Sequence, residues 1–187
     1  MAAISTSDIK NGITIKVDDG LFTVIEFQHV KPGKGGAFVR TKLRNARTGS
    51  VIDRTYRADE RLEQAIIDKR DMQYLYRDGE DYVFMDQVSY DQVSVSAKRL
   101  GETANFLVET GTAMLILYGD EIIGVELPAS VEISIADTEP GIQGDRVSGA
   151  RKAATLSTGY VVQVPLFVGP GEVIRVDTRT GEYITRA

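Results

Sequence analysis

The sequence predicts an all-β protein, three small β-barrels in tandem. Three observations carry this. Short runs such as Phe22-Thr23-Val24-Ile25-Glu26-Phe27 and Phe38-Val39-Arg40-Thr41-Lys42-Leu43 alternate apolar and polar side chains, the pattern of half-buried strands. Turn signals recur between such runs, among them Asp18-Asp19-Gly20, Arg47-Thr48-Gly49-Ser50, Arg77-Asp78-Gly79, Gly119-Asp120 and Thr180-Gly181. The strands gather into units 1–64, 65–128 and 129–187, and the last two have the size of five-stranded OB-type barrels. Barrels this small bury limited core and are expected to dock on one another.

In the first unit, Ile13–Val17, Leu21–Phe27, the run from Phe38 and Val51–Tyr56 make a barrel of about five strands, closed near Arg57-Ala58-Asp59. Asp59–Met72 is ambiguous. Glu60-Arg61-Leu62-Glu63-Gln64-Ala65 contains good helix formers, yet it leads into the strand-like Gln73-Tyr74-Leu75-Tyr76, so a linker and then a strand is expected. The middle unit continues with Tyr82–Met85, a helix over Thr103–Val108 in which Phe106 and Leu107 anchor core, then Ala113–Tyr118 and Ile122–Leu127. The last unit reads as Val131–Ala136, a polar loop from Thr138 to Lys152, Val161–Phe167, Val173–Val176 and Tyr183-Ile184.

The hydrophobic share of 42% is that of a folded protein. No apolar run approaches the roughly 20 residues of a membrane-spanning helix, and the N-terminus lacks a secretory pattern. Zero cysteines exclude a disulfide framework and a thiolate metal site, and suit a reducing cytoplasm. The net charge of −5 is uneven: residues 1–64 carry 11 Lys+Arg against 8 Asp+Glu, and residues 65–128 carry 5 against 12. Within Lys31–Arg57, 8 basic residues face Asp53 alone. A basic end on an acidic body orients a protein against a phosphate-rich surface, although a solvated strand face has the same composition.

Catalytic chemistry is poorly represented. The single histidine, His29, lies in a strand with no nucleophile-elbow serine to accompany it, and reads as a partly buried or surface residue. One histidine without cysteine gives no metal set, and no cofactor is expected. Tyr74, Tyr76, Tyr82 and Phe84 alternate as core residues do, more readily than as base-stacking platforms. No enzyme is expected.

The most informative stretch is Val30-Lys31-Pro32-Gly33-Lys34-Gly35-Gly36-Ala37-Phe38. Pro32 restricts one φ, and Gly33, Gly35 and Gly36 permit the positive φ of a tight hairpin tip. Lys34 then stands out as one ammonium without bulky neighbours, able to enter a narrow anionic space. A flexible loop with an incidental lysine is the other reading. A phosphate-binding loop is a weaker reading, since no Ser or Thr follows in Walker spacing and Gly33-Lys34-Gly35 opens no helical pattern.

Two segments, Lys31–Arg40 and Lys152-Ala153-Ala154-Thr155-Leu156-Ser157-Thr158-Gly159 with the following Val162–Val168 and Gly171–Ile174, resemble the bacterial translation elongation factor P family. Thr138-Glu139-Pro140-Gly141, Gly144-Asp145 and Val176–Tyr183 extend the resemblance over essentially the whole chain. It implies an SH3-like (KOW-type) N-terminal domain followed by two OB-fold domains in an L shape. It also implies a monomer that binds the 70S ribosome (rRNA) and P-site peptidyl-tRNA between the P and E sites and relieves stalling at consecutive prolines. Lys34 matches the residue that approaches the peptidyl-transferase centre. In some members that lysine carries a long modification, so Lys34 is also a candidate modification site and a lysine-modifying enzyme a candidate partner.

Lys31, Arg40 and Lys42 are candidate phosphate contacts, chosen by charge and location. Gly144 and Asp145 match the loop near the E-site codon. Tyr183 and Arg186 match C-terminal ribosome contacts, and equally fit a strand-end core residue and a solvated charge. Ala153 replaces the proline of many members. The competing readings are a paralogue acting on other stalling motifs, a general RNA-binding barrel protein and a nucleotide-using enzyme.

Overall fold

The structure, a computed structural model, describes residues 2–33, 35–141 and 149–187. It packs as two compact units, Met1–Lys69 with Ile116–Gly124, and Arg70–Leu115 with Val125–Ala187.

The N-terminal sheet contains β1 (Ala2–Ser5), β2 (Thr14–Val17), β3 (Gly20–Val30), β4 (Phe38–Asn45), β5 (Val51–Arg57) and β6 (Arg61–Ala65), in the order β1-β6-β2-β3-β4-β5. Its core is Ile9, Ile15, Val17, Val24, Val39, Leu43, Tyr56 and Leu62. Alternation dictates this: Val39, Thr41 and Leu43 of β4 are buried while Arg40, Lys42 and Arg44 are exposed. A register shift between Val24 and Glu26 bends β3, as bulges do in curled sheets. The ambiguous helix formers become β6, which pairs with β1 and β2 and buries Leu62 and Ala65. Backbone pairing and burial override weak local propensity here. With β1 and β6 the sheet has six strands rather than the expected five or so; Ala2-Ala3-Ile4-Ser5 is too short to announce a strand.

The second sheet has β7 (Asp68–Asp78), β8 (Asp81–Asp86), β9 (Gln92–Ser96), β10 (Thr112–Tyr118) and β11 (Glu121–Glu126), ordered β11-β10-β7-β8-β9. Between β9 and β10 lie a short helix α1 (Ala97–Leu100) and a 3-10 turn over Gly101–Phe106. The helical segment thus starts before Thr103 and stops at Phe106, but Phe106 and Leu107 are both buried, as expected. Tyr74 and Phe84 are core and their rings lie 5.5 Å apart. Tyr76 is not core: the register shift between Tyr74 and Tyr76 breaks the alternation and turns it outward, 47% exposed.

The third sheet has β12 (Ser130–Thr138), β13 (Arg151–Leu156), β14 (Val161–Pro165), β15 (Val173–Asp177) and β16 (Tyr183–Arg186), ordered β14-β13-β12-β15-β16. Ile133, Ile135, Leu156, Val164, Ile174 and Val176 meet at its centre, with Phe106 joining them. β13 starts inside the stretch read as a polar loop, where Arg151 and Lys152 hide the strand signal, and it pairs with β14 from Arg151↔Pro165 onward. The fold is all-β, a series of curled antiparallel sheets. No described helix is long and apolar enough to cross a membrane.

Candidate nucleic-acid interface

β3 and β4 run antiparallel to the pair Val30↔Phe38, and the Lys31–Ala37 loop joins them. Lys31, Pro32, Gly33, Gly35 and Gly36 are all exposed. Of the three glycines that permit positive φ, Gly35 is the one that uses it, at 120°. The loop is anchored behind its tip by the Ala58 amide, which donates to the Ala37 carbonyl at 2.9 Å. Lys34, Gly144 and Asp145 lie outside the described residues.

Cross-strand register extends the outward face of β4 on both sides. Arg40 stands between Gln28 of β3 and Thr55 of β5, and Lys42 between Glu26 and Asp53. The Arg40 guanidinium lies 5.5 Å from the Phe38 ring centroid, a contact that holds the cation without neutralising it. Lys42 meets Glu26 at 3.4 Å, with both side chains largely exposed. Such a pair is worth little in water, so Lys42 can exchange that carboxylate for a phosphate. Lys31 has no ion-pair partner among the described residues, and neither has Arg44. The candidate contacts Arg40 and Lys42 therefore share one face of the arm that carries the loop.

Two basic residues off this face are committed to carboxylates. Arg54 reaches Asp18 at 3.1 Å, a contact that raises its pKa. Arg47 makes a fork to Glu121, Nε to Oε1 at 3.1 Å and Nη2 to Oε2 at 2.7 Å, and that hydrogen bond raises its pKa. The second pair spans 74 positions, and no local pattern signals it. His29 is exposed, edge-on to Phe27 at a centroid distance of 5.6 Å. Among the described residues no three His, Asp or Glu side chains group as metal ligands.

The two C-terminal candidates are tied into their own sheet. Tyr183 is half-buried against the third core, opposite Val176. Arg186 pairs with Glu172 at 3.0 Å and covers the Phe167 ring at 4.7 Å.

Residues 5–62 match the family described as elongation factor P (EF-P) KOW-like domain, residues 67–125 the elongation factor P (EF-P) OB domain, and residues 131–186 elongation factor P, C-terminal. KOW-like and OB domains in series, the first with a cationic hairpin arm, define a translation factor rather than an enzyme. Two curated relatives narrow this. Elongation factor P of Moorella thermoacetica is 53% identical over 98% of this chain and 100% of its own length. Elongation factor P of Streptomyces avermitilis is 56% identical over 97% of each. The chain belongs to the elongation factor P family and is a translation elongation factor. Among solved structures, a eukaryotic translation initiation factor 5A from Methanococcus jannaschii superposes with TM-score 0.55 at 22% identity, covering 68% of this chain and 92% of that one. At that identity the likeness concerns the fold.

Proposed function

We infer that the chain acts on the ribosome between the P and E sites, where Lys34 approaches the peptidyl-transferase centre and stabilises the acceptor end of peptidyl-tRNA. The observation that carries this reading is that Lys31, Pro32, Gly33, Gly35 and Gly36 are exposed at the end of an arm whose outward face holds Arg40 and Lys42. Phosphates attract that face and fix its register. The acidic stretch 65–128, 5 basic against 12 acidic residues, disfavours indiscriminate RNA binding.

Lys34 transfers no proton in this scheme. It holds a flexible acceptor end in a reactive orientation, which lowers the entropic part of the barrier when consecutive prolines leave the reactants misaligned. Gly144 and Asp145 are assigned to the E-site codon side, and Tyr183 and Arg186 to the small subunit. In this reading the chain works as three functional domains, 1–64, 65–128 and 129–187, a division supported by family matches over residues 5–62, 67–125 and 131–186, and its site of action is cytoplasmic.

The test is reconstituted translation of a template encoding three consecutive prolines, with recombinant protein made without modifying enzymes. Restored full-length product that Lys34→Ala abolishes supports the reading. Equal loss on proline-free templates counts against it. An intact-mass spectrum of protein from its native cells reports whether Lys34 is modified.

A further inference from the structure

The turn between β4 and β5 is built to aim one side chain. Asn45 Oδ1 accepts from the amides of Arg47 at 2.8 Å and Thr48 at 3.0 Å, and the Asn45 carbonyl accepts from the Gly49 amide at 2.9 Å. The Ala46 amide donates to the Leu21 carbonyl at 2.8 Å, tying the turn to β3. From this base Arg47 makes its two-bond fork to Glu121, the first residue of β11. A bidentate guanidinium–carboxylate pair constrains direction as well as distance. Next to it the β10–β11 hairpin buries Ile123 against Leu21 and Ala65, with Ala46, Ile67, Ile116 and Tyr118 around them.

Arg47 follows the end of β4 distant from the Lys31–Ala37 loop. The eight residues Phe38–Asn45 span roughly 24 Å at strand rise, so a 10° swing about the turn moves the loop end by about 4 Å. Misplacement of about 1 Å already costs an oriented reaction up to a hundredfold.

We propose that Arg47 and Glu121 clasp the β10–β11 hairpin to the N-terminal barrel and so set the direction in which the barrel presents its loop, making both positioning residues. The functional half rests on the ribosomal reading above; the clasp itself does not. The apolar cluster supplies adhesion and the fork supplies angle. An apolar contact alone is non-directional, and a single ammonium in place of the guanidinium holds no plane.

The chain has no cysteine, so spin labels at Lys10→Cys and Asp120→Cys, both exposed and outside the clasp, report barrel-to-hairpin distance in the full chain without background. A narrow distance distribution is expected in the parent. Arg47→Ala and Glu121→Ala should each broaden it, and the exchanged pair Arg47→Glu with Glu121→Arg should narrow it again. Melting temperatures should stay within about 2 °C, as befits a half-exposed pair.

In triple-proline translation the single variants should lower the maximal rate about three- to tenfold, with half-saturating concentration within about twofold. The exchanged pair should recover most of that loss. An unchanged distance distribution overturns the clasp. A broadened distribution with an unchanged maximal rate overturns the positioning role. A parent protein that shows the spectroscopic effect yet stimulates no translation overturns the ribosomal reading, and with it any positioning role, while the clasp stands.

Discussion

The guanidinium of Arg186 lies over the Phe167 ring, 4.7 Å from its centroid, and donates from Nη2 to the Glu172 carboxylate at 3.0 Å. Arg186 is the last residue of β16, and Phe167 follows β14 at the other edge of the third sheet. Phe167 is 62% exposed even so. The stack therefore ties an edge strand down through a surface contact, and leaves the arginine reachable.

That geometry separates two roles for Arg186. Arg186→Ala should cost about 0.5–1.5 kcal/mol, summing an exposed cation–π contact and a surface ion pair, and hydrogen exchange should quicken in Tyr183–Arg186. Arg186→Lys keeps the charge but not the planar stack, so it should restore less than half of that protection. If ribosome binding falls with Arg186→Ala but recovers fully with Arg186→Lys, the charge contacts RNA and the stack is a separate structural contribution.

Asp86 and Asp177 organise tight turns in the same way. Asp177 Oδ1 accepts from the amides of Arg179 at 2.8 Å and Thr180 at 3.2 Å, and Asp86 Oδ1 from those of Val88 at 2.8 Å and Ser89 at 3.2 Å. These backbone bonds lower both carboxyl pKa values below the ordinary 3.8. A folded-state pKa depressed below the unfolded one stabilises the fold above the unfolded pKa, and that contribution disappears as pH falls through the folded pKa. Asp177→Ala should therefore be less stable than the parent at pH 7, and the two should converge at acid pH, as it falls through the lowered folded-state pKa. Asp177→Asn keeps an acceptor and should hold the turn at both values; urea midpoints across pH make the comparison.

Strand β4 offers a test of face against face. Leu43 is fully buried and Arg40 fully on the outward side. Leu43→Ala should destabilise by about 2–5 kcal/mol through lost burial and a cavity. Arg40→Ala should change stability by less than about 1 kcal/mol, the size of its exposed contact with the Phe38 ring. In ribosome binding the pattern should invert: Arg40→Ala should reduce the slope of log affinity against log salt by about one. A slope unchanged by Arg40→Ala and by Lys42→Ala would remove both from the phosphate contacts.

Much of this arrangement is legible in the sequence because strands with one buried face alternate with a period of two. The β3–β4 arm, the outward Arg40 and Lys42, and the turns at Asp18–Gly20 and Gly119-Asp120 all follow from local pattern. What escapes is whatever depends on partners distant in sequence. β6 looks helical until β1 and β2 supply its hydrogen bonds, Tyr76 looks buried until a bulge reverses its phase, and Arg47 looks like one more basic residue until Glu121 arrives from 74 positions away. Local chemistry specifies a face; only the assembled sheet says what that face meets.

The tip glycines give the last prediction, because they look equivalent in sequence and are not equivalent in space. Gly35 has φ of 120°, while a side-chain carbon built at Gly33 or Gly36 meets nothing within 4 Å and neither residue has positive φ. A non-glycine residue at Gly35 must therefore be strained or must rotate the backbone next to Lys34, at a cost on the order of 1–3 kcal/mol if the conformation is held. Gly33, Gly35 and Gly36 are exposed, and among the described loop residues the anchor lies behind the tip, at Ala37, so relaxation of the backbone next to Lys34 is the cheaper course. Gly35→Ala should leave thermal stability near that of the parent and lower triple-proline synthesis about tenfold or more, whereas Gly33→Ala and Gly36→Ala should each lie within about threefold of the parent. Equal losses at all three positions would show that loop flexibility, rather than one left-handed residue, sets the lysine's approach.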